Sequence, residues 1–555
     1  KWMKYLLLTL IVLILTTILF LLTSTQTLQW AADRYAPKYG FAYKQISGAL
    51  LTGLEVEELT FKNERLLDSL KVGWNPASIL YNKVSITHLE ASGLNVENIK
   101  KVVKAFVPTE PEEDNSSFIL PFTIGVGEVK LEVDPFEWSG IGFKDISLDV
   151  KDIVYYGEGV DIDDLSLSID TNVTTIELSG EIQEKNVRVK KLNILDIDTI
   201  AFQDVIEQMI DIKIHEEIVE LVEPEVEHYK AGRKHLLPKS VQVDSAIVTV
   251  KPADHPQIKL HQGELNASSI KVDIYGIIDL KPNTVQVGAL SVLLDTNLSR
   301  LSMQSKLQDE KITVESLSLR ELDTIALTKL FESIENNQSA KAETPDINIT
   351  ASPLLPKLLY VKQLDSSIKS ATYDPVFVKS AEVNATNVML NIATLTAESG
   401  EIDISAVTNF ATLMQHGVIK DNQIEGEILL DNLHKIEGLD NNYSRLLNDL
   451  KIKYKGDAKS IEAEIRSNIA TIEADVLYDK ELKVVTKTTF PKDSLLRAYI
   501  PKLNFDALSP LHADILWTKK VVHADVKSKG LTSKMTFNPE NKDLDGDLVM
   551  GGAKF

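Results

Sequence analysis

Residues 165–201, LSLSIDTNVTTIELSGEIQEKNVRVKKLNILDIDTIA, align without a gap to residues 290–326, LSVLLDTNLSRLSMQSKLQDEKITVESLSLRELDTIA. Asp170-Thr171-Asn172 meets Asp295-Thr296-Asn297, and Asp198 meets Asp323, both at a separation of 125 (295 − 170 and 323 − 198). Weaker matches extend the pattern. GELNASS (263–269) resembles AEVNATN (381–387), and apolar-Leu-Pro phrases end at Pro121, Pro238 and Pro356, 117 and 118 apart. A chain that repeats itself over this length is built of supersecondary units that must stack to bury an apolar face. The repeat of about 120 residues is far longer than that of common solenoids. A duplicated domain pair is the alternative to a continuous array.

Within each unit the dominant pattern has period two. Ile146, Leu148 and Val150 alternate with polar residues, as do Leu165, Leu167 and Ile169, then Ile270, Val272 and Ile274, then Leu317 and Leu319, then Val388, Leu390 and Ile392. Such alternation predicts strands with one dry and one wet face. The expected fold class is mainly β, an antiparallel repeating sheet with few short helices and no parallel βαβ alternation. At about 4.8 Å per strand and ~6 strands per unit, the whole would stack to on the order of 120–140 Å. The fourteen residues named are the candidate lining of the dry face. A sandwich would hide that face inside itself and a groove would cover it with other apolar matter; alternation alone fits both.

Helical spacing appears at regular intervals. Helices are expected over LQWAADRYAPKYG, after SGLNVENIKKVVKAF begins, after LDIDTIA with Val205, Ile206, Met209 and Ile210, running to about Lys234, and after ELDTIA with Leu327, Leu330 and Phe331. Polar linkers PTEPEEDNSS and ENNQSAKAETPD follow two of them. Asp198 and Asp323 stand where a strand gives way to a helix, so their carboxylates are expected to cap free N–H groups of the first turn. The divisions predicted are 1–28, a membrane anchor; 29–118, a β-unit with a closing helix; 119–235 and 236–345, two β-repeats with helices; and 346–555, further repeats.

Residues 5–22, YLLLTLIVLILTTILFLL, are uncharged and as a helix would cover about 27 Å, near the thickness of a bilayer core. Lys1 and Lys4 precede the run and Asp33 follows it, so the N-terminus is expected in the cytoplasm and everything after residue 23 outside. A net charge of −22 argues against nucleic acid as a partner. There is no cysteine, so thiolate nucleophiles, disulfides and Cys-based metal sites are excluded. No phosphate-loop, zinc-protease or nucleophile-elbow motif occurs. Glu225 and His228 form a lone helical pair, read as a solvated face. NKDLDGDLVMGG (541–552) begins like a calcium loop but has Gly552 where the twelfth ligand belongs, and a turn at Asp545-Gly546 is expected instead. No enzyme, cofactor or metal is predicted. The start at Lys1 and the end DLVMGGAKF are expected to belong to a longer protein.

The apolar run, AADRYAP (31–37), ISGALLTGLEVEELTF (46–61) and LKVGWNPASILYNKVSITHLEASGLNV (70–96), in that order, resemble the N-terminal region of the TamB/AsmA-like family of bacterial envelope proteins. The resemblance covers about the first 100 residues; the family's characteristic C-terminal domain is not recognisable. It implies a long, taco-like β-groove in the periplasm, anchored in the inner membrane and passing phospholipids toward the outer membrane along an apolar lining. It also implies an alternative, a scaffold for assembly of outer-membrane proteins with a TamA-type partner. No catalytic residues are implied.

Overall fold

The computed structural model describes residues 13–106 except 14, 15 and 18, then 122–203, 205, 238–329, 356–432 and 450–550, with interruptions at 139, 157–158, 256–257, 280, 374–375, 393, 395, 410, 458, 479–481, 493, 495–496, 498–504, 519–520 and 539–542. Most of the apolar run 5–22, both polar linkers, and Glu225 and His228 lie outside these residues. Among the described residues, no helix is long and apolar enough to cross a membrane. The chain is mainly β and divides into two compact units, one of Lys1–His255 with Leu260–Ser291, the other of Pro256–Lys259 with Val292–Phe555.

The first unit opens on the helix Thr25–Tyr35, which continues as a 3₁₀ turn over Ala36–Tyr39 and stops at Gly40, whose φ of 83° suits a residue without a Cβ. Leu28 on this helix packs against Ile46 and Val56 of the sheet. A second cluster, Phe61, Leu66 and Leu67, is closed by Val102 of the helix Val96–Phe106. Among the described residues these are the two places where buried apolar side chains gather into a cluster. From here the sheet continues through Lys83–Leu94, Thr123–Val133, Ile141–Tyr155, Val160–Thr171, Thr175–Gln183, Asn186–Ile197, Ser240–Val250 and Lys259–Asp273. The second unit carries Arg300–Gln308, Lys311–Asp323, Leu358–Tyr373, Val376–Asn391 and, after these, shorter strands to Asp543–Met550.

Among the described residues most neighbours pair antiparallel, but three pairs run parallel. Lys83–Leu94 runs parallel to Thr123–Val133, Asn186–Ile197 to Ser240–Val250, and Lys311–Asp323 to Leu358–Tyr373. This corrects the expectation of a sheet without parallel crossovers. A parallel pair needs a long connection, and the helix-bearing segments after Leu94, Ile197 and Asp323 supply it. Each repeat is thus a run of antiparallel hairpins closed by one crossover.

The three crossovers begin with the same joint. A residue in the left-handed region comes first: Gly93 (φ 66°), Asp196 (φ 55°) or Glu321 (φ 55°). Two residues later Asn95, Asp198 or Asp323 donates its N–H to a hairpin carbonyl, of Leu66, Val173 or Leu298 (2.8, 2.8 and 2.9 Å). Its side-chain Oδ1 accepts the N–H of Asn98, Ala201 or Ala326, in each case at 3.0 Å. The repeated DTIA phrase is therefore a helix cap. The described helical residues that follow are 199–203 and 205, and 324–329.

The hairpin ends repeat as well. Thr171, Thr296 and Thr408 each donate a hydroxyl to the carbonyl three residues on and accept an N–H within the same turn. The Asn that follows each Thr accepts a backbone N–H from a preceding segment, of Gly142, Lys259 or Phe377. The third copy, Thr408-Asn409, extends the repeat beyond the gapless match. Opposite turns have φ above zero at two successive residues, at Glu184-Lys185, Asp309-Glu310 and Asp421-Asn422, the twist that tight hairpins favour. Asp545 and Gly546, in contrast, lie inside the strand Asp543–Met550 and pair with Thr536 and Met535, so the expected turn there is not formed. Asp198→Ala and Asp323→Ala should each cost about 1 kcal/mol in denaturant unfolding, and Asp323→Asn only a few tenths, since Asn caps as well as Asp.

Candidate functional site: an uncharged strip across the strands

Cross-strand register brings the alternating residues together. On the first unit, Val56, Leu70, Ala91, Leu131, Leu148, Leu167, Leu178, Leu192, Ala246 and Ala267 are successive partners, one per strand over ten strands. A neighbouring row runs Leu54, Val72, Leu89, Val129, Val150, Leu165, Gly180, Val189, Val243 and Ile270. On the other side Leu94, Val133, Ile146, Ile169, Ile176, Ile194, Val248 and Leu265 form a third. At about 3.3 Å per residue and two residues between rows, the strip is roughly 13 Å wide. None of its residues carries a charge.

Such rows run through the second unit as well. Leu317, Leu364, Ala385, Ile402, Gly417, Gly426, Tyr454, Ala463 and Ala474 are successive partners. Beside them run Leu319, Ser366, Val383, Ile404, Gln415, Ile428, Ile452, Ile465 and Ile472. These too are uncharged, with smaller and a few polar side chains.

The strip is sheltered without being sealed. Leu131, Leu148, Leu167, Leu178 and Leu192 are half-buried, whereas residues at the centre of a closed sandwich would be buried outright. In Ile402–Thr408, Ile402, Ile404 and Ala406 are half-buried while Asp403, Ser405 and Val407 on the other face are exposed. Here the apolar side is concave: Ile402, Ile404, Ile428, Ile452, Ile461 and Tyr454 line a cleft of about 510 Å³ formed by neighbouring strands of one sheet. Its floor has one polar contact, Gln415 Nε2 donating to the Tyr454 hydroxyl at 2.6 Å. To reach Gln415, two strands away, the Tyr454 ring lies across Gly426 and Gly417. A Cβ on Gly426 would sit 2.6 Å from the Tyr454 hydroxyl and 2.5 Å from the His416 carbonyl. Gly426→Ala should therefore cost about 1–3 kcal/mol by overpacking, read as a lowered midpoint of thermal unfolding.

The opposite face is charged and paired across strands. Lys451 meets Glu427, Glu315 lies between Lys306 and Lys362, and Arg188 bonds Asp244 at 2.9 Å. The Lys362 and Lys306 ammoniums hold the Glu315 carboxyl below its ordinary range. These groups are solvated, and each pair contributes little to stability. Among the described residues no three His, Asp or Glu side chains converge as a metal site. His416 bonds Asp403 at 2.7 Å on this charged face, and that hydrogen bond raises its pKa above 6.5. The stabilisation is fully present below the unfolded value and is lost as pH rises through the raised one. An NMR titration should show a His416 midpoint above 6.5, and Asp403→Asn should return it toward that value.

Of the fourteen residues predicted from alternation, twelve occupy strands and meet apolar or small partners, with Leu319 opposite Ser366 as the exception. Two do not lie on strands. Ile274 starts the short helix Ile274–Ile278, because Asp273 caps it by accepting the Gly276 N–H at 2.9 Å. Ile392 falls in the turn after Val376–Asn391, its N–H donated to the Lys357 carbonyl. Alternation missed the small members of the rows, such as Ala91, Ala246, Ala267 and Ala385, which are buried. It also missed Ile402 and Ile404, although IDIS carries the same signal. A third gap is the break in parity. At Asp152, Ser269 and Asn387 φ is 52°, 54° and 51°, and the apolar face resumes at Ile153, Ile270 and Val388, three residues after Val150, Ala267 and Ala385. These breaks are 117 and 118 apart (269 − 152 and 387 − 269), the spacing of the Leu-Pro phrases. Short polar side chains tolerate the left-handed region there.

No protein-family model, no curated protein and no solved structure matches this chain.

Proposed function

We propose that the uncharged strip is a path for phospholipid acyl chains, in a protein held in the inner membrane by the apolar run 5–22 and extending into the periplasm as a bridge toward the outer membrane. The observation that carries this reading is the register: apolar residues meet apolar residues over ten consecutive strands of the first unit, yet the Leu side chains among them remain half-buried. An apolar face in that state lowers its free energy by taking up hydrocarbon, at about 0.8 kcal/mol per buried CH₂. Successive positions along a row are chemically alike, so a chain moves between them without a large barrier, and no catalytic group is needed. The charged outer face keeps the protein solvated and repels nothing from the strip itself. Direction is supplied from outside this chain.

The test is transfer of fluorescent phospholipid between vesicles by the full chain, with mass spectrometry of the lipid that co-purifies in mild detergent. Leu148→Asp sets a charge at the centre of the strip. A carboxylate in an apolar path costs about 2.5–3.5 kcal/mol, so transfer should fall on the order of 100-fold while the far-UV circular dichroism stays that of a β-protein. Unfolding of the variant would place Leu148 in a sealed core instead. Purified protein that carries no lipid, and that photo-crosslinks from strand edges to nascent outer-membrane proteins, would replace the conduit with the assembly-scaffold reading and its TamA-type partner.

A further inference from the structure

We propose that the 3₁₀ turn Pro76–Tyr81 dips into the bilayer and seats this end of the first unit on the membrane, beside the apolar run. This rests on the proposed membrane anchoring but not on lipid transport. The turn presents Ile79, Leu80 and Tyr81 to solvent at 66%, 85% and 84% exposure, three large apolar residues in succession. Isolated exposed apolar residues are ordinary; a contiguous apolar tip marks a surface that something covers.

The tip is built rather than slack. Asn75 Oδ1 accepts the Ala77 N–H at 3.1 Å, and the Ser78 hydroxyl donates to the Asn75 carbonyl at 2.6 Å while accepting the Ser85 N–H at 3.1 Å. Asn82 closes the turn in the left-handed region, with its N–H on the Ile79 carbonyl at 3.1 Å. The backbone is thus held in a shape that keeps these side chains outward.

What covers the tip follows from its neighbours. Trp74, at the base of the turn, donates its indole N–H to the Leu50 carbonyl at 3.1 Å and its backbone N–H to Thr52 at 3.2 Å. The same hairpin turn takes up the end of the apolar run, since the Leu51 N–H donates to the Leu22 carbonyl at 3.0 Å. The Thr25 hydroxyl then fixes the following helix to Gly48 at 2.8 Å. Leu22, at the end of the run, and the tip therefore lie at one end of the sheet, and hydrocarbon that holds the run is within reach of the tip. Between Trp74 and Val84 the only charged residue is Lys83, a cation suited to phosphate headgroups. Trp74 and Tyr81 are the residue types that favour the interface.

The chain has no cysteine, so a single introduced thiol reports one position. The full chain carrying Leu80→Cys, labelled with an environment-sensitive nitrobenzoxadiazole dye, is reconstituted into vesicles of phosphatidylethanolamine and phosphatidylglycerol. Lys101→Cys, on the helix at the other end of the same strands, is the control; Tyr81→Cys replaces Leu80→Cys if the latter does not fold. The expected result is a blue-shifted emission at position 80 that doxyl-labelled phospholipids quench several-fold more than at position 101. Emission at position 80 as water-like as at position 101 would overturn the proposal. So would a blue shift that doxyl lipids leave unquenched, since the cover would then be protein. Loss of lipid transfer in Leu148→Asp bears on the conduit alone and leaves the quenching at position 80 in place.

Discussion

Every part of this protein depends on the register in which its strands pair. A one-residue slip would turn an entire row of Leu, Ile and Val to the charged face. The register is held in two ways. Cross-strand apolar pairs such as Leu148 with Leu167 and Ile176 with Ile194 favour it along the strands. The turns hold it at the ends, where Thr171, Thr296 and Thr408 close hairpins with one hydrogen-bonding pattern. Where alternation breaks, at Asp152, Ser269 and Asn387, it breaks on neighbouring strands at one level, so the apolar face is displaced without being lost.

The crossovers solve a different problem. A sheet that grows only by hairpins has no reason to repeat at a fixed length. A capped helix after each fifth or so strand, bound through Asn95, Asp198 or Asp323 to a buried hairpin residue, imposes one. The strand that returns lies parallel to the one just left, and the pattern begins again. The Asp198 and Asp323 carboxylates are structural, because their oxygens are engaged by helix N–H groups.

The two faces of the sheet divide the work of solubility and shelter. Cross-strand ion pairs and exposed charges keep one face solvated, and the chain's net charge of −22 discourages association. The other face bears no charge along its rows, and its Leu131, Leu148, Leu167, Leu178 and Leu192 are left half-buried. A few polar groups enter it in the second unit, notably Gln415 and Tyr454 across a pair of glycines. There the absence of a Cβ on Gly417 and Gly426 leaves room for the Tyr454 hydroxyl.

The β class, the repeat near 120 residues, the helix caps and most of the apolar face were legible in the sequence, because each rests on a local rule: period-two alternation, turn chemistry or the needs of a helix N-terminus. Ile146, Leu148 and Val150 could be assigned to one face from their spacing alone. The parallel crossovers, the parity breaks and the fate of Ile274 and Ile392 were not legible, since they depend on which distant strand is the neighbour and on where a cap interrupts it. Alternation also favours large side chains and overlooks Ala246, Ala267 and Ala385, whose place in the rows comes from pairing rather than from their own hydrophobicity. Whether an apolar face is sealed or open is a matter of tertiary structure alone. The same strand sequence serves a closed or an open sheet, and the half-burial of Leu131, Leu148, Leu167, Leu178 and Leu192 goes with the open one.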